Sequence, residues 1–209
     1  MIRKIALFSI SLLFLLSCTE SEINYVNQSD NLQRYDSQIF ETITITKEVR
    51  YGANVTLNGA TTALFMDIYQ PENDTEINRP LIVLAHGGSF ISGDKSDLSE
   101  IASFLAKAGY VVASINYRLL DVTPTQLAFK QVVINAVVDM KAAVRFFNKD
   151  IGTTDTYKID ANNIFIGGYS AGAITALQYA YVNSDSELIT IGGSTFVDYV
   201  NSKGGLEGG

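Results

Sequence analysis

The chain places a serine between two glycines, Gly168-Tyr169-Ser170-Ala171-Gly172, directly after the apolar run Ile164-Phe165-Ile166 and at the start of a helix-like stretch. A strand that turns sharply into a helix around a serine thrusts its hydroxyl out of the backbone, as a serine nucleophile requires. The glycines follow from sterics, because strand and helix approach so closely at such a turn that a Cβ at either position would clash. At the helix N-terminus, the N–H of Ala171 would point at the oxyanion that forms on an attacked carbonyl. The competing reading is a serine that merely caps the helix.

A second feature suits the same chemistry. His86-Gly87-Gly88-Ser89-Phe90 follows another apolar run, Leu81 to Ala85, where a glycine loop can leave the N–H groups of Gly87 and Gly88 free to face a substrate oxygen. Losing one such donor typically costs about 10²- to 10³-fold in rate. His86 is the only histidine in the chain. Opening this loop, it is expected to hydrogen-bond backbone and hold the loop's shape, the alternative being that it is the general base. No histidine follows Ser170, and the acids of the tail, Asp185, Glu187 and Asp198, are expected to face solvent and receive no catalytic role. A phosphate loop over Gly88 to Gly93 fails in register, because Asp94 stands where the lysine should be.

The elements that must position these residues are legible in the apolar pattern. Alternation at Ile43, Ile45, Val49 and Tyr51, turn formers from Asn54 to Ala60, and alternation again at Leu64, Met66 and Ile68 predict an antiparallel strand pair. Leu81–Ala85, Val111–Ile115 and Ile164–Ile166 are continuous apolar runs, the pattern of strands covered on both faces. Leu98, Ile101, Leu105 and Ala108 recur at helical spacing between the first two runs, as do Val133, Val137, Met140, Val144 and Phe147 between the second and third. The fold class is therefore α/β, a mostly parallel sheet with helices on both faces and an N-terminal antiparallel pair. After Ser170 the pattern yields one helix, Ala173 to Asn183, and then a glycine-rich run.

The chain's beginning reads as a leader. Two positive charges in Met1-Ile2-Arg3-Lys4 precede the apolar stretch Ile5 to Leu16, which is too short for a stable membrane anchor and right for a signal peptide over residues 1–17. Leu15-Leu16-Ser17-Cys18 resembles a bacterial lipobox, so Cys18 is the expected lipidation site, in a protein tethered to the cell envelope on its periplasmic or outer side. With the sole cysteine lipidated, no disulfide and no cysteine metal site can be proposed, and neither a metal nor a cofactor is expected. Residues 18–40 are polar and read as a mobile tether, leaving 41–209 as the folded part. A net charge of −7 without any basic run excludes a nucleic-acid partner.

Several stretches together resemble the α/β-hydrolases of the carboxylesterase group, near hormone-sensitive-lipase-like and feruloyl or acetyl-xylan esterases. They are Met66–Pro71, His86-Gly87-Gly88, Asn116-Tyr117-Arg118-Leu119, Asp139–Phe146 and Asn163–Gly172, spread over roughly residues 60 to 180. The resemblance implies Ser170 as nucleophile, with Gly87, Gly88 and Ala171 as oxyanion donors. It further implies a small-molecule or polysaccharide-linked ester as substrate. Ser89 departs from the family's commoner glycine. The family's later acid and histidine are missing, so the chain is expected to be the N-terminal part of a longer protein. As given, it should be inactive, and its sheet should be incomplete at the C-terminal edge with apolar surface left exposed. The alternatives are a non-catalytic binding protein on the same fold and a serine peptidase of the prolyl-oligopeptidase type.

Overall fold

The computed structural model describes residues 33–182 and 184–202. The expected leader and Cys18 lie outside the described residues, as does the glycine-rich end.

Strands β1 (Ile43–Val55) and β2 (Thr61–Pro71) form the expected antiparallel hairpin, closed by a turn in which the Thr56 N–H donates to Ala60 O. Three strands follow: β3 (Arg79–Ala85), β4 (Val111–Ile115) and β5 (Ile159–Gly168). They assemble in the order β1-β2-β4-β3-β5, with β2 antiparallel to β4 and with β3 parallel to both β4 and β5. The sheet is thus mixed, parallel where the three continuous apolar runs lie and antiparallel at the hairpin.

Alternate residues of β3 serve opposite layers. Leu81, Val83 and Ala85 pack with Val132, Ala136, Met140 and Phe147 of the long helix α2 (Gln126–Ile151). Leu84 instead joins Tyr69, Val112 and two alanines of α1 (Ser99–Lys107). This double covering is why β3 and β4 read as unbroken apolar runs. The buried stripe of α1 differs from expectation: Ala102 and Ala106 are fully buried, whereas Ile101 is 45% exposed. The small alanines let the helix sit close on the sheet, which rotates the larger residues outward. Thr125 caps α2 by accepting the N–H of Ala128.

Helix α3 (Ala171–Tyr181) follows the serine turn. Two further helices, α4 (Asp185–Gly192) and α5 (Ser194–Ser202), occupy the stretch that the sequence pattern left without structure. Leu188, Phe196 and Val200 bury themselves against Ile134 and Val138 of α2, and a capping box of Ser184 with Glu187 starts α4. The expected polar tether is also corrected over its described part. From Gln33 to Phe40 the chain is docked: Tyr35, Ile39 and Phe40 donate N–H bonds to Ala108 O and Lys107 O, and Arg34 pairs with Asp74.

Among the described residues β5 pairs only with β3, so its outer edge is open. The register Ile82↔Phe165 puts Phe165 on the α1 face, where it is 51% exposed. Ile101, Phe104 and Tyr169 are likewise exposed apolar or aromatic groups.

Candidate active site

Ser170 stands two residues after the end of β5 and directly before the first residue of α3, with φ 50° and ψ −111°. This is a conformation that residues with a Cβ rarely adopt and that costs on the order of 1–3 kcal/mol. Its side chain is exposed and makes no capping hydrogen bond, so the helix-cap role is absent. The turn is locked against the end of β3 by backbone alone. The Tyr169 N–H donates to Ala85 O at 3.1 Å, and a Cβ on Gly168 would lie 2.4 Å from that same oxygen. The two glycines of the motif are therefore required by the contact between backbones.

The loop after β3 lies against this turn. A Cβ on Gly87 would approach Ser170 Cβ to 3.5 Å. The loop holds four consecutive or near-consecutive residues at positive φ, namely Gly88, Ser89, Phe90 and Gly93, two of them not glycine. Several bonds stabilise that shape. Gly88 O accepts the N–H groups of Ile91 and Ser92, and Phe90 O accepts that of Leu120 at 2.7 Å. Phe90 is itself buried, with its ring edge toward Tyr117. Among the described residues the N–H groups of Gly87, Gly88 and Ala171 have no backbone acceptor; Gly87 lies against Ser170, and Ala171 follows it in the chain.

His86 is 1% exposed. Its Nδ1 lies 2.7 Å from Gly87 O, and since a carbonyl only accepts, Nδ1 carries the proton. The imidazole stacks on Tyr117 at 4.4 Å, and the Tyr117 hydroxyl donates to His86 O at 2.8 Å. Burial pushes the Tyr117 phenol up to about 12, so it remains a donor. Gly93 closes over the ring: a Cβ there would meet Nδ1 at 2.3 Å.

The far end of the loop is pinned by charge. Asp94 caps a 3-10 turn at Lys95–Leu98 and accepts from Asn116 Nδ2 at 2.8 Å. The Lys95 N–H donates to Asn116 Oδ1, while its buried Nζ reaches Glu48 Oε1 at 2.5 Å and Asp67 Oδ1 at 3.5 Å. Burial acts to lower the Lys95 ammonium's pKa, but the hydrogen bond to Glu48 and the nearby carboxylates leave it raised. Lys95 is thus committed to protein carboxylates and is not a phosphate ligand. Behind it, the fully buried pair Arg118–Asp139 ties the segment after β4 to α2, and Arg118 also donates to Val55 O and Asn135 O.

Of the residues expected from sequence, the structure brings Gly87 against Ser170, with Gly88 and Ala171 next to them in the chain. Asp185, Glu187 and Asp198 are exposed, as expected, on the tail helices. Sequence reasoning did not assign Tyr117, Asp94, Lys95 or the Arg118–Asp139 pairing to this site. Asn116–Leu119 and Asp139 were recognisable as landmarks, but their partners lie 21 to 31 positions away, beyond any local spacing rule. Beside Gly87, Gly88 and Tyr169 opens a mostly apolar cavity of about 590 Å³, walled by Leu84, Leu98 and Ile101.

The family model described as BD-FAE matches residues 66–202. The isoprenylcysteine alpha-carbonyl methylesterase of Arabidopsis thaliana is 29% identical over 144 residues, 69% of this chain and 31% of that protein. A probable isoprenylcysteine alpha-carbonyl methylesterase of Oryza sativa subsp. japonica is 31% identical over 149 residues, again 69% of this chain and 32% of its own length. Among solved structures, esterase B from Lactobacillus rhamnosis, inhibited by a tributyrin phosphonate, superposes with a TM-score of 0.54 at 22% identity over 76% of this chain and 47% of that one. That likeness establishes the α/β-hydrolase fold. The chain spans about a third of the length of these plant relatives.

Proposed function

The chain belongs to the BD-FAE family, and on that premise we propose that the natural protein hydrolyses carboxylic esters through a serine acyl-enzyme. Ser170 Oγ attacks the ester carbonyl, and the carbonyl oxygen gains negative charge within reach of the Gly87, Gly88 and Ala171 N–H groups. The serine proton passes to a base and then to the departing alkoxide, leaving the acyl group on Ser170. Water then attacks that ester, its proton returns to Ser170 Oγ through the same base, and the carboxylic acid departs. The observation that carries this reading is the exposed Ser170 at φ 50° with Gly87, whose N–H has no backbone acceptor, packed against it.

His86 does not suit the base role, being buried, stacked on Tyr117 and committed through Nδ1 to Gly87 O. We assign the base to a histidine, and its orienting acid, in sequence outside these 209 residues. The substrates are taken to be small-molecule or polysaccharide-linked esters. The protein is taken to be held at the cell envelope by a lipid on Cys18, a reading supported by the charged start, the apolar run and the Leu15–Cys18 tetrapeptide.

The test is labelling of the full-length protein by a fluorophosphonate probe. Labelling that disappears in Ser170→Ala supports the serine enzyme. Equal labelling of both proteins, or none in either, favours a binding protein that uses the fold without the chemistry.

A further inference from the structure

We infer that the Tyr117 hydroxyl is a positioning group that aims the Gly87 N–H at the oxyanion, an inference that rests on the esterase reading above. Among the described residues no peptide bond is cis, so in the planar unit joining His86 to Gly87 the C=O and N–H point in opposite directions. Whatever holds His86 O therefore sets the direction of the Gly87 N–H. Strand β3 ends at Ala85, and the last β3–β4 register pair is Ala85↔Ile115, so no sheet ladder holds this carbonyl. Among the described residues its hydrogen bond is the one from Tyr117 Oη, at 2.8 Å.

Glycine at 87 makes such a clamp necessary. Lacking a Cβ, it offers little resistance to rotation of the plane on either side. A Cβ there is also unwelcome, since it would meet Tyr169 Cδ1 at 3.0 Å and Ser170 Cβ at 3.5 Å. The loop thus gives up its own stiffness to let the backbone approach the serine, and an external donor restores it. Tyr117 is rigid enough for this role: it is 4% exposed, its ring is stacked on His86 at 4.4 Å, and Phe90 meets it edge-on at 6.2 Å. His86 repeats the device one peptide later, where its Nδ1–H holds Gly87 O and so directs the Gly88 N–H the opposite way.

Tyr117→Phe in the full-length protein keeps the ring and its stacking and deletes only the clamp. With p-nitrophenyl acetate as substrate, kcat should fall about 10- to 100-fold, less than the cost of losing a donor outright, with KM within about 2-fold. Affinity for a trifluoromethyl ketone, which forms an oxyanion on the serine, should weaken by the same factor. Affinity for the acetate product should not change. In protein labelled with 15N-glycine, the Gly87 amide signal should shift or broaden while that of Gly52 stays in place. An unchanged kcat, or losses of ketone and acetate affinity in equal measure, would reduce Tyr117 to a structural residue and overturn the inference. An unmoved Gly87 signal overturns it too. If wild type hydrolyses nothing while the Gly87 signal still shifts in Tyr117→Phe, the clamp stands and the esterase reading is what fails.

Discussion

Gly172→Ala is the sharpest test of how the serine turn is held. A Cβ at position 172 would sit 1.9 Å from Ala85 O, 2.5 Å from Ala85 C and 2.8 Å from His86 O. All three atoms are backbone, so no side chain can swing aside. To restore even the shortest contact that real Cβ atoms tolerate, β3 and α3 must part by about 1 Å, an overpacking that costs about 1–3 kcal/mol. The same movement lengthens the 3.1 Å bond from Tyr169 N–H to Ala85 O, adding about 0.5–1.5 kcal/mol. The total, about 2–4 kcal/mol, corresponds in a domain of this size to a fall in melting temperature of about 5–15 °C. In the full-length protein the displaced serine should also lose about 100-fold in rate, the usual cost of a misplacement of about 1 Å. Thermal unfolding followed by circular dichroism checks the first figure, with Gly52→Ala as control, since a Cβ there meets only Leu64 Cδ1 at an ordinary 3.7 Å. If Gly172→Ala melts within about 2 °C of wild type, the backbone contact is not what holds the turn, and the account given for both glycines is wrong.

Ser170→Gly should remove the strain of a side chain at φ 50°, worth about 1–3 kcal/mol, against about 0.5–1 kcal/mol of added chain entropy in the unfolded state. Calorimetry should find it as stable as wild type or more so, and a lower melting temperature would refute the strain. Arg118→Met strands Asp139 in a fully buried site and should cost about 3–5 kcal/mol in urea unfolding. Arg118→Met with Asp139→Leu should recover part of that loss, and a double variant that loses the sum of both would show that the charges are not coupled. For Asp94, burial acts to raise the pKa, but hydrogen bonds from Asn116 and Ser96 and the charge of Lys95 outweigh it and hold the carboxyl below its ordinary 3.8. A depressed pKa stabilises the fold fully above the unfolded value and progressively less as pH falls below it. Stability should therefore be flat above about pH 5 and decline below about pH 4. Asp150, also depressed, contributes to the same limb, so Asp94→Asn should make that decline shallower without abolishing it. An acid limb of unchanged slope in Asp94→Asn counts against the network at the loop's end.

What could be read from the sequence was whatever is written in short periods. β3 and β4 announced themselves because both of their faces are buried, and α2 because Val137, Met140, Val144 and Phe147 repeat at helical spacing on its buried side. The serine turn and the glycine loop were legible because close backbone contact leaves glycine as the only residue that fits, which marks the sequence directly. Ile101 misled because apolarity alone cannot tell which apolar residues of α1 face inward, and the alanines took the sheet side. Helices α4 and α5 were missed because their inward face is thin, with Leu188, Phe196 and Val200 spread over two short helices, although Ser184 and Glu187 stood at capping-box spacing. The clamps on the glycine loop were illegible for a different reason. Tyr117 to His86 O, Lys95 to Glu48 and Arg118 to Asp139 join segments that meet only once the sheet has formed, and no local pattern records them.

The distribution of strain bears on the choice between an enzyme and a binding protein. Non-glycine residues at positive φ elsewhere in the fold, such as Tyr35, Asn73 and Asp155, lie in turns and connections where reversing the chain is reason enough. Ser89, Phe90 and Ser170 belong to two different segments, 80 positions apart, and both segments converge on Gly87. Phe90 is bulky and buried, so its left-handed backbone persists only because Leu120, Tyr117 and the Gly88 carbonyl over-determine the loop. A surface that merely binds an ester can present N–H donors from a relaxed turn, and it has no use for a serine whose own backbone is forced beside the glycine loop. Strain in both partners at one point, each held by contacts made far along the chain, is the arrangement expected where a hydroxyl must meet a carbonyl whose oxygen is already provided for.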